Sequence, residues 1–214
     1  MTCAMGNIVS FGEARNRSHI MHRQQLLQLL SDYTTPFLEE AAMVERTRRF
    51  VEAHDNCFYR HLLPGHLSGS AWVLNPGRTH VLMMHHRKLD LWLQPGGHAD
   101  GDPDIQRVVL KETSEEAGVD VEHVRWLHDE IFDVDVHTVH ASEHDPRHEH
   151  YDIRFLVEID DAIPLLGNDE SHEVAWIPLH AVARFNNARS MYRMVQKTRR
   201  LACSPDGLCV GRLL

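Results

Sequence analysis

Long apolar runs are missing from this 214-residue chain. No stretch approaches the roughly 18 residues that crossing a bilayer requires, so no membrane span is expected. The segment from Met1 to Arg15 lacks an apolar core of signal-peptide length, which places the expected location in the cytoplasm. Cysteine is scarce and scattered. Cys3, Cys57, Cys203 and Cys209 form no Cys-x-x-Cys pair, which speaks against a zinc ribbon or a disulfide framework and leaves reduced thiols as the default. An excess of positive charge is absent too. The formal net charge of −9 argues against a broad basic surface for duplex nucleic acid. A small anionic substrate stays open, because a bound divalent cation inverts the local field. Repeats and low-complexity linkers are also absent.

What remains is an ordinary globular composition, 43% hydrophobic and 25% charged, together with an unusual 18 histidines. The length suits one domain with an appendage. Residues 1–18 are polar and weakly periodic. From His19 to Ser31 the leucines Leu26, Leu27, Leu29 and Leu30 suit an amphipathic helix. A second helix is expected to open with Thr35 as N-cap and Pro36 at its first position, with Glu39 and Glu40 in the first turns and Arg46, Arg48 and Arg49 near the end. Residues 1–60 therefore read as a helical extension, 61–200 as the main domain and 201–214 as a tail.

Beyond His66 the pattern changes to strands. Ser70–Leu74 and His80–Met84 flank an Asn75-Pro76-Gly77 turn, and Leu91–Gln94 leads into Pro95-Gly96-Gly97. A helix follows from about Pro103 to Ala117, with Asp102 as N-cap and Gly118 just past its end. Alternation over Val124–His137 marks another strand, residues 141–149 an exposed loop, and Tyr151–Ile159 and Val174–Pro178 two more strands. One terminal helix is expected from about His180 to Arg200, ahead of a Ser204-Pro205-Asp206-Gly207 turn. Strands and helices in this order suggest an α/β sandwich with a mixed sheet.

Chemistry concentrates in the helix after Gly97. Each helical residue advances by about 100°, so Glu112, Glu115 and Glu116 share one face. Carboxylates so close repel one another unless protons or cations compensate. Their hard oxygens suit Mg²⁺ or Mn²⁺, with water and phosphate completing the shell. Alone, such a cluster is more often a solvated acidic face. Its fixed distance from the Gly96-Gly97 turn and its closure by Gly118-Val119 reverse that balance.

These residues resemble the Nudix box of the Nudix hydrolase superfamily. That signature runs from a glycine, through five residues, a glutamate and seven more residues, to Arg-Glu, an aliphatic residue, any residue, Glu-Glu, any residue, Gly and an aliphatic residue. Gly97, Glu112, Glu115, Glu116, Gly118 and Val119 fall in register across positions 97–119. Three positions depart from it: Pro103 replaces the early glutamate, Lys111 the arginine and Thr113 the aliphatic residue. The first two normally help hold the loop and helix together, so another clamp is expected, with Asp102 or Asp104 as partners for Lys111.

The resemblance implies a Nudix-type α/β/α sandwich and hydrolysis of a diphosphate linkage in a nucleotide-derived small molecule. It implies Mg²⁺, or Mn²⁺, on Glu112, Glu115, Glu116 and the carbonyl of Gly97. Glu115 or Glu116 would orient or deprotonate the attacking water, or a glutamate outside the box would do so. Glu173 is the preferred outside candidate, although an exposed strand-end carboxylate is an equally good reading of it; Glu143 and Glu149 are weaker. Gly96, Gly97 and His98 are candidates to bind substrate, with His98 otherwise structural.

His137, His140, His144, His148 and His150 gather near Asp133, Asp135 and Asp152 in sequence. Imidazoles suit Zn²⁺ or Ni²⁺, but without a His-x-x-x-His helix spacing they read rather as exposed and substrate-lining side chains. His85-His86-Arg87-Lys88 is either a phosphate-facing segment or a solvated turn. Trp72, Trp92 and Trp176 read as core. A non-catalytic module and a histidine-rich metal-binding protein are the rival functions. The apolar Leu26–Leu30 face suggests a homodimer.

Overall fold

Every position of the strand β1 (Gly65–Leu74) is buried, as a strand covered on both faces must be. The computed structural model describes residues 23–141 and 146–202, so Glu143, His144 and the Ser204–Gly207 turn lie outside the described residues. Ahead of β1 come a helix over residues 23–32 (α1) and α2 (Leu38–Ala53). After it come β2 (His80–His86), β3 (Leu91–Leu93), β4 (Gly96–His98), α3 (Ile105–Ala117) and β5 (Arg125–Val139). The chain continues as β6 (His148–Glu158), β7 (Ser171–Pro178), α4 (Val182–Phe185) and α5 (Arg189–Ala202).

The seven strands form one mixed sheet in the order β3-β2-β1-β6-β5, with β4 also pairing β1 and β7 pairing β2. β1 and β6 run parallel, from Gly65 opposite Glu149 to Leu74 opposite Glu158; the other pairs are antiparallel. Strand alternation divides β1 cleanly. Leu67, Ala71 and Val73 join the core under α1, α2 and α3, while Trp72 and Leu74 join a second core with Met191, Met194 and Val195 of α5. Helices thus cover both faces, giving the expected α/β/α sandwich.

Leu26 and Leu30 are buried in the chain's own core. The apolar face that suggested a second copy is therefore satisfied internally. Several local expectations change. Helix α2 starts at Leu38 because Phe37 is extended (φ −91°, ψ 108°), and the Thr35 hydroxyl accepts from Phe37 N while donating to Glu40. Glu40, expected in the first turns of this helix, is fully buried. Gly96 and Gly97 belong to a strand rather than a loop, and the loop expected over 141–149 ends at His148, where β6 pairs with Val139. The terminal helix breaks at Asn186, whose backbone is extended and whose amide donates to Trp92 O.

Candidate active site and the polar sheet face

Helix α3 is fastened at both ends. Its N-cap is Asp104, not Asp102: the Asp104 carboxylate accepts from Arg107 N at 3.1 Å. Asp102 instead accepts from Asp104 N and pairs with the Arg107 side chain. Gly118 closes the helix in the left-handed region at φ 67°, and a Cβ there would press on the backbone of Gly167. Gly118→Ala is therefore expected to cost about 2 kcal/mol or more, from left-handed strain and the clash together. Urea denaturation measures it; a loss under about 0.5 kcal/mol, the ordinary surface range, would remove this role.

The helix presents three carboxylates in unlike surroundings. Glu116 is 4% exposed, and its Oε2 accepts from Gly96 N at 2.8 Å. Burial pushes its pKa up to about 8; the Gly96 bond opposes the rise, and Glu112, Glu170 and Glu115 add to it. Glu112 faces Gly97 so closely that a Cβ on Gly97 would overlap its carboxylate. Glu115 is the most exposed of the three. Lys111 does not pair with Asp102 or Asp104 as expected. Its ammonium sits 2.9 Å from Glu112 and 3.3 Å from Glu115, and this proximity raises its pKa.

A hard divalent cation fits this donor set. The carboxylates share one helix edge, Gly97 has no side chain to block them, and Glu116 is held at the cost of a buried charge that a cation would offset. As folded, the three glutamates do not converge on one point. Among the described residues, the group bringing three ligand atoms within 4.8 Å of one another is His66, His148 and His150.

The candidates outside α3 separate. Glu173 is an exposed residue of β7 opposite His85. Glu149 is committed elsewhere, pairing with Arg46 and accepting from Tyr151 OH. Glu170, which sequence reasoning missed, contributes to the field on Glu116. It lies in the turn before β7, which Arg87 anchors by bonds to Asp169 O and Ser171 O and through its own N–H to Glu170 O. Arg87 thus tethers this turn. Sequence reading singled out Glu173 from this acidic stretch, whereas it is Glu170 that acts on Glu116.

β4 is where the two faces of the sheet meet. Gly97 turns toward α3, while His98, opposite Ser68, turns to the other face. There a pocket of about 390 Å³ is floored by Ser68, Ser70, Asp152 and Arg154 and walled by Leu91 and Asn186. It meets the glutamate helix only through Gly96 and Gly97. His137 and His150 also line it. His86 is the part of the basic segment that reaches it, and His85 instead stacks on Trp92 with ring centroids 5.3 Å apart. Trp72 is core as expected, but Trp92 is only half-buried.

Cross-strand pairing puts His66, His150 and His137 in one row, and His148 lies two residues from His150 on the same face. His98 completes the group, with its Nε2 3.2 Å from that of His150. Burial lowers the pKa of His66 to about 4 and that of His150 to about 2, and the neighbouring imidazoles add to both shifts. His140 is exposed outside the group. The next rows of this face are Ser68–Asp152–Asp135 and Ser70–Arg154–Asp133. They run into a buried ion network with Arg193, Lys197 and Glu40.

A family model described as NUDIX domain matches residues 65–198. No curated protein sequence matches the chain. Among solved structures, the chain is similar to a binary complex of the C. elegans Ap4A hydrolase, with 16% identity and a TM-score of 0.53 over 64% of this chain and 96% of that one. It is also similar to RenU, a Nudix hydrolase from M. smegmatis, with 17% identity and a TM-score of 0.48 over 64% and 85%. At these identities the likeness concerns the fold. Among the described residues, no helix is long and apolar enough to cross a membrane.

Proposed function

Because the chain belongs to the NUDIX domain family, we propose that it is a metal-dependent pyrophosphohydrolase, cleaving a diphosphate linkage in a nucleoside diphosphate joined to another group. One observation carries the reading: a buried glutamate, Glu116, is aimed by the backbone of Gly96 at the junction where Gly97 meets Glu112. A surface acidic helix has no reason to bury one of its carboxylates.

Glu112, Glu115, Glu116 and the Gly97 carbonyl would hold Mg²⁺ or Mn²⁺, which when bound neutralises charge on phosphoryl oxygens and acidifies a bound water. The chain's own residues supply the positioning. Gly96 N–H fixes the rotamer of Glu116, and the missing side chains of Gly96 and Gly97 let a phosphate approach the strand. His98 stands on the pocket wall beside them. Glu115 or Glu116 can take the proton of the attacking water. Outside the helix, Glu170 is a stronger candidate base than Glu173, since its charge reaches Glu116.

A panel including Ap4A and ADP-ribose, assayed with Mg²⁺, Mn²⁺ or chelator, tests the reading. Cation-dependent release of a nucleotide product from at least one member is expected. No release from any member would remove the hydrolase assignment in this form. Glu170→Gln and Glu173→Gln, assayed on the best substrate, separate the two bases: the first is expected to lower kcat by about 10²-fold or more, the second by little.

A further inference from the structure

We infer that the chain carries a second, transition-metal site, remote in chemistry from the glutamate helix and on the opposite face of the sheet: Zn²⁺ held by His66, His148 and His150, with His98 as fourth ligand. It stands whether or not α3 performs hydrolysis.

The first observation is an orphan. His66 is 2% exposed, and neither of its ring nitrogens has a hydrogen-bond partner. A buried polar group left so costs about 1–3 kcal/mol, and native proteins rarely tolerate it without a bound water or ion. The rings of His98, His148 and His150 surround it, with centroids 4.8–4.9 Å away.

The second observation is the proton count. His148 Nδ1 lies 2.8 Å from Pro146 O, a carbonyl that can only accept, so Nδ1 carries a proton and, in the neutral ring, Nε2 carries the lone pair. That Nε2 is 3.1 Å from His150 Nε2, which is also 3.2 Å from His98 Nε2. Two imidazole nitrogens thus lie against His150 Nε2. One proton on His150 Nε2 can point at only one of these two neighbours at a time. A cation among His66, His148 and His150 would take a lone pair from each, including the orphaned His66 ring.

The third observation is size. Zn–N bonds of about 2.0–2.1 Å in a tetrahedron put ligand nitrogens about 3.3 Å apart, close to the 3.1 and 3.2 Å found here. The His66, His148 and His150 ligand atoms all lie within 4.8 Å of one another, so small rotations of the His66 ring close the set. The Pro146 carbonyl on His148 Nδ1 is the outer partner that metal-bound histidines characteristically have. Four imidazoles and no carboxylate favour Zn²⁺ or its neighbours over Mg²⁺.

The site also has a mechanical consequence. His98 follows Gly97 on β4, while His66 is on β1 and His148 and His150 on β6. Zinc would pin the strand that presents Gly96 and Gly97, a clamp where Pro103 and Lys111 depart from the usual pair.

The tag-free, full-length chain, stripped with chelator, is titrated with Co²⁺ as a spectroscopic stand-in for Zn²⁺. One equivalent is expected to give the intense visible bands of four-coordinate Co²⁺ and to be displaced by Zn²⁺. X-ray absorption of the zinc form is expected to show a nitrogen shell with imidazole scattering. His66→Asn and His148→Asn are expected to weaken binding by about 100-fold or more, whereas Glu116→Gln leaves it unchanged. A weak six-coordinate spectrum, an oxygen shell, binding indifferent to both histidine changes, or binding lost in Glu116→Gln would each overturn the site. If the histidine variants do not fold, the wild-type spectra decide alone.

Discussion

Replacing Lys197 with methionine is expected to destabilise the protein by about 3–5 kcal/mol, the cost of stranding buried charge. Lys197 is 1% exposed on α5, and its ammonium donates to Glu40, Asp133, Tyr33 OH and Phe132 O. The surrounding network sets the carboxylates of Glu40, Asp133, Asp135 and Asp152 against three cations, Arg154, Arg193 and Lys197. Methionine fills the volume but leaves two cations for four carboxylates. Glu40 and Asp133 then face each other across an apolar side chain.

The pH dependence has a defined sign. Burial alone would raise the pKa of Asp133, but the Arg193 hydrogen bond and the charges of Lys197 and Arg154 outweigh it and hold the group below its ordinary value of 3.8. A depressed carboxylate contributes stability that is present above its unfolded pKa and is lost as pH falls through the folded value. Lys197→Met weakens that depression, so its cost is expected to be greatest near neutral pH and to shrink in acid. Urea unfolding at several pH values measures it. Adding Glu40→Gln is expected to recover part of the loss, since the two groups form one pair. A loss under about 1 kcal/mol at pH 7 would mean that the network is solvated in a way the geometry does not suggest.

Glu116→Gln is expected to split activity from stability. Removing one carboxylate from the cation's donor set is expected to lower kcat by about 10³-fold or more, roughly 4 kcal/mol of barrier. The metal-free protein is expected to respond in the opposite sense. Burial pushes the Glu116 pKa up to about 8, against an ordinary value of 4.5. A raised pKa gives stability that is present below the unfolded value and is lost as pH rises through the folded one. Metal-free wild type should therefore lose stability between about pH 4.5 and 8, while the glutamine variant, whose carbonyl still accepts from Gly96 N, should not. Thermal melting in chelator at pH 8.5 is expected to rank the variant above wild type. A variant both active and no more stable would place Glu116 outside the chemistry.

The register of the box was legible because most of it is local: Glu112, Glu115, Glu116 and Gly118 need only helical geometry to fall together, while Gly97 reaches Glu112 from strand β4. Most strands were legible for the same reason, from apolar or alternating runs of their own, whereas β4 read as a turn. What escaped was set by pairing between distant segments. His66 joins His148 and His150 only because β1 and β6 run parallel in one register, and no spacing in the chain announces that. Glu40 reads as a helix-start acid until Lys197, 157 positions later, is folded onto it. Lys111 was expected to reach back to Asp102 or Asp104, but Arg107 lies one helical turn nearer and takes both. Glu170 lies in the tethered turn and Glu173 in the strand that follows, and of the two only the charge of Glu170 is among the largest influences on Glu116.

The most direct measurement is hydrolysis of the best panel substrate in ¹⁸O-labelled water, with phosphorus NMR and mass analysis of the products. Cleavage within the diphosphate linkage, label in a phosphate-bearing product, dependence on Mg²⁺ or Mn²⁺, and near-complete loss in Glu116→Gln are expected. Undiminished cleavage in chelator, label outside the phosphate products, or full activity in Glu116→Gln would contradict the proposed hydrolysis.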